Sequence, residues 1–137
     1  MNNYVLDACA LIALLREETG ADKVANVINA AFKSEAKVVM HKINLLEVYY
    51  DVYRLYGKSQ ANIILSELKK QPVIIKSEID DNIFAEAGRM KASYKISLAD
   101  SIALAETYVS NSSLLTSDHH EFDVIEKYEK IKFEWIR

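Results

Sequence analysis

Short apolar runs and longer amphipathic stretches alternate along the whole chain. Tyr4-Val5-Leu6 has the length and density of a buried strand, and at Asp7 it opens into Ala8-Cys9-Ala10-Leu11-Ile12-Ala13-Leu14-Leu15-Arg16, which holds no breaker and favours helix up to Gly20. Val24, Val27, Ile28 and Ala31 recur at helical spacing between Ala21 and Lys33, and Lys37-Val38-Val39-Met40 then predicts a second strand. A helix is expected from Asn44 through Glu47 to Tyr56, closed by Gly57, and another from Ser59 to Lys70, stopped before Pro72. Val73-Ile74-Ile75 predicts a third strand. From Ile79 to Tyr94 an apolar stripe of Ile83, Phe84, Ala87, Met90 and Ala92 predicts helix, and Ser97 to Val109, rich in Ala and Leu, predicts the next. Ser113-Leu114-Leu115-Thr116 is a fourth strand, Asp123 to Lys130 a short helix, and Lys132 to Ile136 a closing strand. Strands alternating with helices, with no repeat or linker between them, predict an α/β layered fold with a mainly parallel sheet.

That alternation gives a place to four acids. Asp7, Glu47, Asp100 and Asp118 each follow a short apolar run or open a helical pattern. In an α/β sheet the carboxyl ends of parallel strands, and the helix starts beside them, face one crevice. Four acids in one crevice repel one another unless a cation is present, and hard carboxylate oxygens suit Mg²⁺ or Mn²⁺. Two such ions close together can deprotonate a water, hold a phosphate and stabilise a leaving oxygen, which is phosphodiesterase chemistry. Each acid also has a purely structural reading. Asp7 can cap the first helix, Asn44-x-x-Glu47 and Ser97-x-x-Asp100 fit the capping-box pattern, and Asp118 can cap a turn with Glu121 three residues on. The apolar neighbours Val5-Leu6, Leu45-Leu46 and Leu98-Ala99 weigh against capping alone, since an acid needed only as a cap would sit as well on the wet side.

Composition narrows the classes. A chain of 137 residues with 50% hydrophobic and 27% charged residues is expected to form one domain, residues 1–137, rather than a disordered tail or two domains. The net charge of -3 argues against broad electrostatic capture of nucleic acid, although bound metal would reverse the sign at the point of contact. Cys9 is the only cysteine, so no internal disulfide forms. The apolar stretch Ala8 to Leu15 is too short to span a bilayer and follows an acid, which predicts a cytoplasmic protein with no membrane association.

Asp7 after a strand, Asn44-Leu45-Leu46-Glu47 at a helix start, Ser97-Leu98-Ala99-Asp100-Ser101-Ile102-Ala103-Leu104-Ala105, and Leu115-Thr116-Ser117-Asp118-His119-His120-Glu121-Phe122 together resemble the PIN domain, and within it the short VapC-type toxins of toxin-antitoxin pairs. The resemblance runs over almost the whole chain in the family's order, and its two C-terminal motifs are the specific ones. It implies a three-layer α/β/α sandwich, a Mg²⁺- or Mn²⁺-dependent endoribonuclease acting through metal-activated water, a homodimer, an RNA substrate and a cognate antitoxin that blocks the site. It also implies that Asp7, Glu47, Asp100 and Asp118 are the catalytic, metal-binding acids, with Thr116 or Ser117 positioning Asp118 or a water and Asn44 in a supporting place. Cys9 departs from the Ser or Thr that often stands there.

Other residues invite chemistry. His119 and His120 adjoin a proposed ligand, yet no Cys or His cluster at zinc spacing accompanies them. Cys9 has no partnered base in the pattern and reads as a small buried residue. Asp51, one turn beyond Glu47, and Asp123 could enter a metal shell or stay peripheral, and Asp80 and Asp81 read as N-terminal helix charges. His41, at a strand end, reads as structural or surface. Tyr49, Tyr53 and Tyr56, with Tyr50 beside them, form either core packing or a binding face. Lys42, Arg89, Lys91 and Lys95 are candidates to grip phosphate, or part of a solvated helix face. Two rival functions stay open: a non-catalytic binding module on the same fold, and a small phosphatase using Asp7 as phosphoryl acceptor. The second lacks the paired-acid signature, since Ala8-Cys9 follow Asp7.

Overall fold

The computed structural model describes all 137 residues. Five strands, β1 (Asn2–Leu6), β2 (Ala36–His41), β3 (Val73–Lys76), β4 (Ser113–Thr116) and β5 (Lys132–Trp135), form one sheet in the order β3-β2-β1-β4-β5. Every pairing is parallel, so the sheet is wholly rather than mainly parallel. Seven helices connect the strands: α1 (Ala8–Leu15), α2 (Ala21–Phe32), α3 (Lys42–Tyr56), α4 (Lys58–Lys69), α5 (Asp81–Ser93), α6 (Leu98–Val109) and α7 (His119–Tyr128). None is long and apolar enough to cross a membrane.

The period-two alternation of the strands sorts the helices into two layers. Leu6, Met40 and Leu115 point into a core built with Leu11, Val24, Ile28, Val48, Val52 and Leu68 from α1 to α4. Their strand neighbours Val5 and Leu114 point the other way, onto Met90, Ala103, Leu104, Phe122 and Ile125 from α5 to α7. The result is an α/β/α sandwich.

Strand order decides where a site can form. From the central β1 the chain goes outward through β2 to β3 on one side, then returns to lay β4 and β5 on the other. The order therefore reverses between β1 and β4, and their connections leave in opposite directions, opening a crevice at the carboxyl ends. Leu6 pairs with Leu115 across that boundary, so Asp7 and the Thr116-Ser117-Asp118 turn emerge side by side.

Several boundaries differ from the sequence expectation, each for a local reason. Helix α3 starts at Lys42 because His41 caps it, its Nδ1 accepting from the Ile43 N–H. Asn44 is thus inside the first turn and caps nothing, which corrects its reading as part of a capping box. Helix α7 starts at His119, capped by Asp118, and not at Asp123. At the C-terminus the tail packs on the α1–α2 connection, where Gly20 has φ +99° and a Cβ would stand 2.6 Å from the Ile136 carbonyl oxygen.

Candidate functional site

Asp7 ends β1 and caps α1, its carboxylate accepting from the Ala10 N–H at 2.8 Å. It is 2% exposed. Asp118 caps α7 by accepting from the Glu121 N–H at 3.1 Å, and its own N–H donates to the Thr116 hydroxyl, which orients the turn. Both acids therefore do cap helices. Glu47 and Asp100 do not. Ser97 caps α6, accepting from the Asp100 N–H, and α3 is capped by His41, so these two carboxylates are free to serve something else.

All four acids line one cleft of about 530 Å³, together with Ala8, Cys9, Ile96, Ser97, Glu121, Lys91 and Lys95. Their protonation behaviour reports mutual crowding. Burial pushes the Asp7 carboxyl up to about 7, with Asp100 and Asp118 adding repulsion, against the lowering effect of Thr116 and the Ala10 N–H. Burial, then the charges of Asp118 and Glu47, raises Asp100 to about 6. Glu47 is raised by burial and then by Asp118. The Cys9 thiol is pushed up to about 12, by burial first and then by Asp7, Asp118, Asp100 and Glu47, so it stays protonated and is no nucleophile at neutral pH.

The donor set fits a hard divalent cation. Apart from the Cys9 thiol and the two lysine amines, the side-chain ligand atoms lining the cleft are carboxylate and hydroxyl oxygens, and no histidine lines it. No three acidic, histidine or cysteine side chains are gathered closely enough to enclose an ion unaided. That arrangement suits Mg²⁺, which keeps several waters and takes only one or two carboxylates directly, better than an ion needing an all-protein cage.

The remaining candidates separate cleanly. Thr116 is fully buried beneath Asp118, while Ser117 is half-buried in the turn and lines no part of the cleft. Asn44 is 1% exposed, and neither its amide oxygen nor its amide nitrogen has a hydrogen-bond partner. Asp51 lies outside the cleft, paired with Arg16 at 2.9 Å and Arg54 at 2.8 Å. Asp123 holds the His119 Nδ1 at 2.7 Å, the His119 Nε2 meets the Arg137 carbonyl, and the ring stacks on Trp135, so neither faces the acids. His120 points to solvent. His41 is buried, its Nε2 donating to the Glu78 carbonyl, since its Nδ1 is the accepting cap. Asp80 caps α5 and Asp81 sits in its first turn. Of the proposed phosphate-gripping cations only Lys91 and Lys95 line the cleft; Arg89 is held by Glu86 and Glu129, and Lys42 lies outside.

Sequence reasoning missed Glu121 as a cleft residue. With α7 placed from Asp123, Glu121 fell in a loop and served only as a capping partner. The signal was present: an Asp cap followed three residues later by Glu puts that Glu in the first helical turn. Val48 and Val52 take the core positions of α3, with Tyr49 half-buried against that core and the other tyrosines of the helix outside it. Tyr50, Tyr53 and Tyr56 are exposed, and Tyr49 packs at 5.9 Å against Tyr53 and donates to Asn62. A second, mainly apolar groove of about 670 Å³ runs between α1, α3 and α4, lined by Ile12, Leu15, Arg16, Val52, Tyr56, Gln60 and Ile64.

Comparison with known proteins adds the following. The model of the PIN domain family matches residues 4–128. No curated protein sequence matches the chain. Among solved structures, a chain of VapBC2 from Rickettsia felis bound to a DNA fragment from their promoter superposes with a TM-score of 0.77 at 17% identity, over 97% of this chain and 98% of that one. VapBC-1 from nontypeable Haemophilus influenzae gives 0.72 at 18% identity over 98% of each chain. VapC20 of Mycobacterium tuberculosis, described as a sarcin-ricin loop cleaving toxin, gives 0.57 at 14% identity over 81% of this chain and 86% of that one.

Proposed function

The chain belongs to the PIN domain family, and from that membership we propose that it is a divalent-cation-dependent endoribonuclease, the VapC-type toxin of a type II toxin-antitoxin pair. One observation carries the reading. Four carboxylates from four separate segments line a single cleft at the point where the strand order reverses, and no ion pair or hydrogen-bonded cation neutralises any of them. Carboxylates drawn partly out of water beside one another and without a cationic partner raise the free energy of the fold, and such strain clusters where it is used.

Asp7, Glu47, Asp100 and Asp118 would hold Mg²⁺ or Mn²⁺. When bound, the ion supplies positive charge for the scissile phosphate and eases loss of a proton from an attacking water. The chain contributes the rest. Thr116 accepts the Asp118 N–H and so fixes the turn that carries that carboxylate. Asp7, anchored by the Ala10 N–H, presents a carboxylate whose position is set by β1 and α1 together. Glu47 approaches from the second turn of α3 and Asp100 from the first turn of α6, and neither is held as a helix cap. The Cys9 thiol, pushed up by burial and by the acids around it, does not serve as a covalent nucleophile, and the attacking group in this reading is water.

A non-catalytic module explains Asp7 and Asp118 as caps but must assign Glu47 and Asp100, which cap nothing, to contact with a basic partner. The partner side of the proposal rests on the solved relatives being VapBC assemblies and on the exposed apolar groove between α1, α3 and α4. A protein antitoxin would occupy that groove, and the toxin would act as a homodimer in the cytoplasm. The deciding experiment incubates purified protein with RNA and Mg²⁺. Cleavage that stops on chelation and in Asp100→Asn supports the reading, whereas cleavage that survives both overturns it.

A further inference from the structure

Besides its acids, the cleft has a basic rim. Lys91 lies in the last turn of α5, and Lys95 lies in the connection that leads to Asp100 on α6. Both line the same cleft as Asp7, Glu47, Asp100, Asp118 and Glu121, and they are its only cations. Five carboxylates share that cleft, yet neither lysine forms an ion pair or a hydrogen bond with any of them. The neighbouring Arg89, by contrast, is fully engaged with Glu86 at 2.6 Å and Glu129 at 2.7 Å. Both lysines are exposed, and no carboxylate of the cleft lies within ion-pairing distance of either ammonium, so they border the acids without capping them.

That separation has a chemical consequence. An ammonium lodged among the acids would compete with a divalent ion for them. At the rim it leaves the acids free and offers positive charge to whatever enters beside them. The other charged groups of the cleft are all carboxylates, so a polyanion reaching the four acids needs a favourable contact on its way in.

We propose that Lys91 and Lys95 bind the RNA backbone phosphates that flank the scissile one, setting the strand's path along the α5–α6 side of the cleft. This inference rests on the ribonuclease reading and names the residues through which that site takes its substrate. The contacts are to phosphate, so they position the strand without reading its sequence.

The test uses full-length protein carrying Asp100→Asn to block cleavage, a short fluorescent single-stranded RNA, Mg²⁺, and a series of salt concentrations. Each phosphate contact on a single strand contributes about 0.7 to the slope of log affinity against log salt. Lys91→Gln and Lys95→Gln should each weaken binding several-fold and reduce the slope by about 0.7, and the double variant by about twice that, for RNAs of unrelated sequence alike. Lys91→Arg and Lys95→Arg should keep the slope, and Lys42→Gln, outside the cleft, should leave it unchanged. A double Lys→Gln variant that binds with the parent's slope overturns the inference while leaving the ribonuclease reading intact. Failure of the unmodified protein to cleave RNA, together with failure of the Asp100→Asn protein to bind it, is the separate result that removes both.

Discussion

Two groups of carboxylates stand close together on this molecule and are treated in opposite ways. Beside α5 and α7, Glu86 and Glu129 grip the Arg89 guanidinium, and Tyr94 donates to Glu129 at 2.5 Å. Arg89 lowers the Glu129 carboxyl below its ordinary range and is itself raised by the Glu86 and Glu129 hydrogen bonds. Around the cleft, Asp7, Glu47 and Asp100 are all shifted upward, first by burial and then by neighbouring carboxylates, Asp118 among them in each case. The first group explains itself as structure. The second is explained only by a charge that arrives from outside, and that difference separates a surface clasp from a site.

The contrast is sharpest in activity. Glu47→Gln should lower Mg²⁺-dependent RNA cleavage by at least about a hundredfold, because a lost ligand forfeits several kcal/mol of charge stabilisation at the phosphate. Glu86→Gln, in the clasp, should leave the rate within about twofold. Equal losses in initial-rate assays would erase the distinction between the groups.

Stability against pH comes next. The Asp7 carboxyl is raised from 3.8 to about 7 in the folded protein, so between those values the folded state holds a proton that the unfolded state has lost. Without divalent cation, stability should therefore fall as pH rises from about 4 to about 7 and stay low above it. Asp7→Asn keeps a good helix cap and removes the charge, so it should flatten that decline and stabilise the cation-free protein at pH 8 by on the order of 2–4 kcal/mol. Mn²⁺ at a hundred times its dissociation constant should likewise stabilise the parent by about 3 kcal/mol, seen as a higher melting temperature. Urea and thermal melts across pH, with and without Mn²⁺, measure both.

In the clasp the sign reverses. Glu129→Gln should destabilise the protein, by about 1 kcal/mol or less because Arg89 is half-exposed, and should leave the melting shift caused by Mn²⁺ unaltered. The smallest expected effect belongs to Asn44. Its buried amide makes no hydrogen bond, so Asn44→Leu should be close to neutral or slightly stabilising in chemical denaturation, whereas a loss above about 2 kcal/mol would show that the amide has a partner in solution.

Much of this arrangement was legible in the residues. The apolar runs at Tyr4-Val5-Leu6, Val38-Val39-Met40 and Leu114-Leu115 are nearly continuous because a parallel sheet covered on both faces buries both sides of each strand, and that made strand identity and fold class readable. Asp7 and Asp118 were readable as strand-end acids for the same reason. Helix starts were less legible. A histidine cap at His41 breaks the preference for Ser, Thr, Asp or Asn, so α3 began two residues earlier than its pattern suggested and Asn44 was misread. The tyrosines of α3 could be read either as core or as a binding face, since aromatic spacing alone does not say which face is inward; Val48 and Val52 hold the core, Tyr49 packs against it, and Tyr50, Tyr53 and Tyr56 are exposed. Which lysines border the cleft depended on the path of the α5–α6 connection, which no local pattern encodes.

The central claim is that the cleft carboxylates, and not the acids of the clasp, form a divalent-cation site. Mn²⁺ titration followed by electron paramagnetic resonance tests it directly, because bound Mn²⁺ is depleted from the sharp signal of the free ion. The parent protein and the Glu86→Gln/Glu129→Gln double variant should deplete that signal alike, and Asp7→Asn/Asp100→Asn should leave it close to that of buffer. Undiminished binding in Asp7→Asn/Asp100→Asn, or none in the parent, would contradict the account.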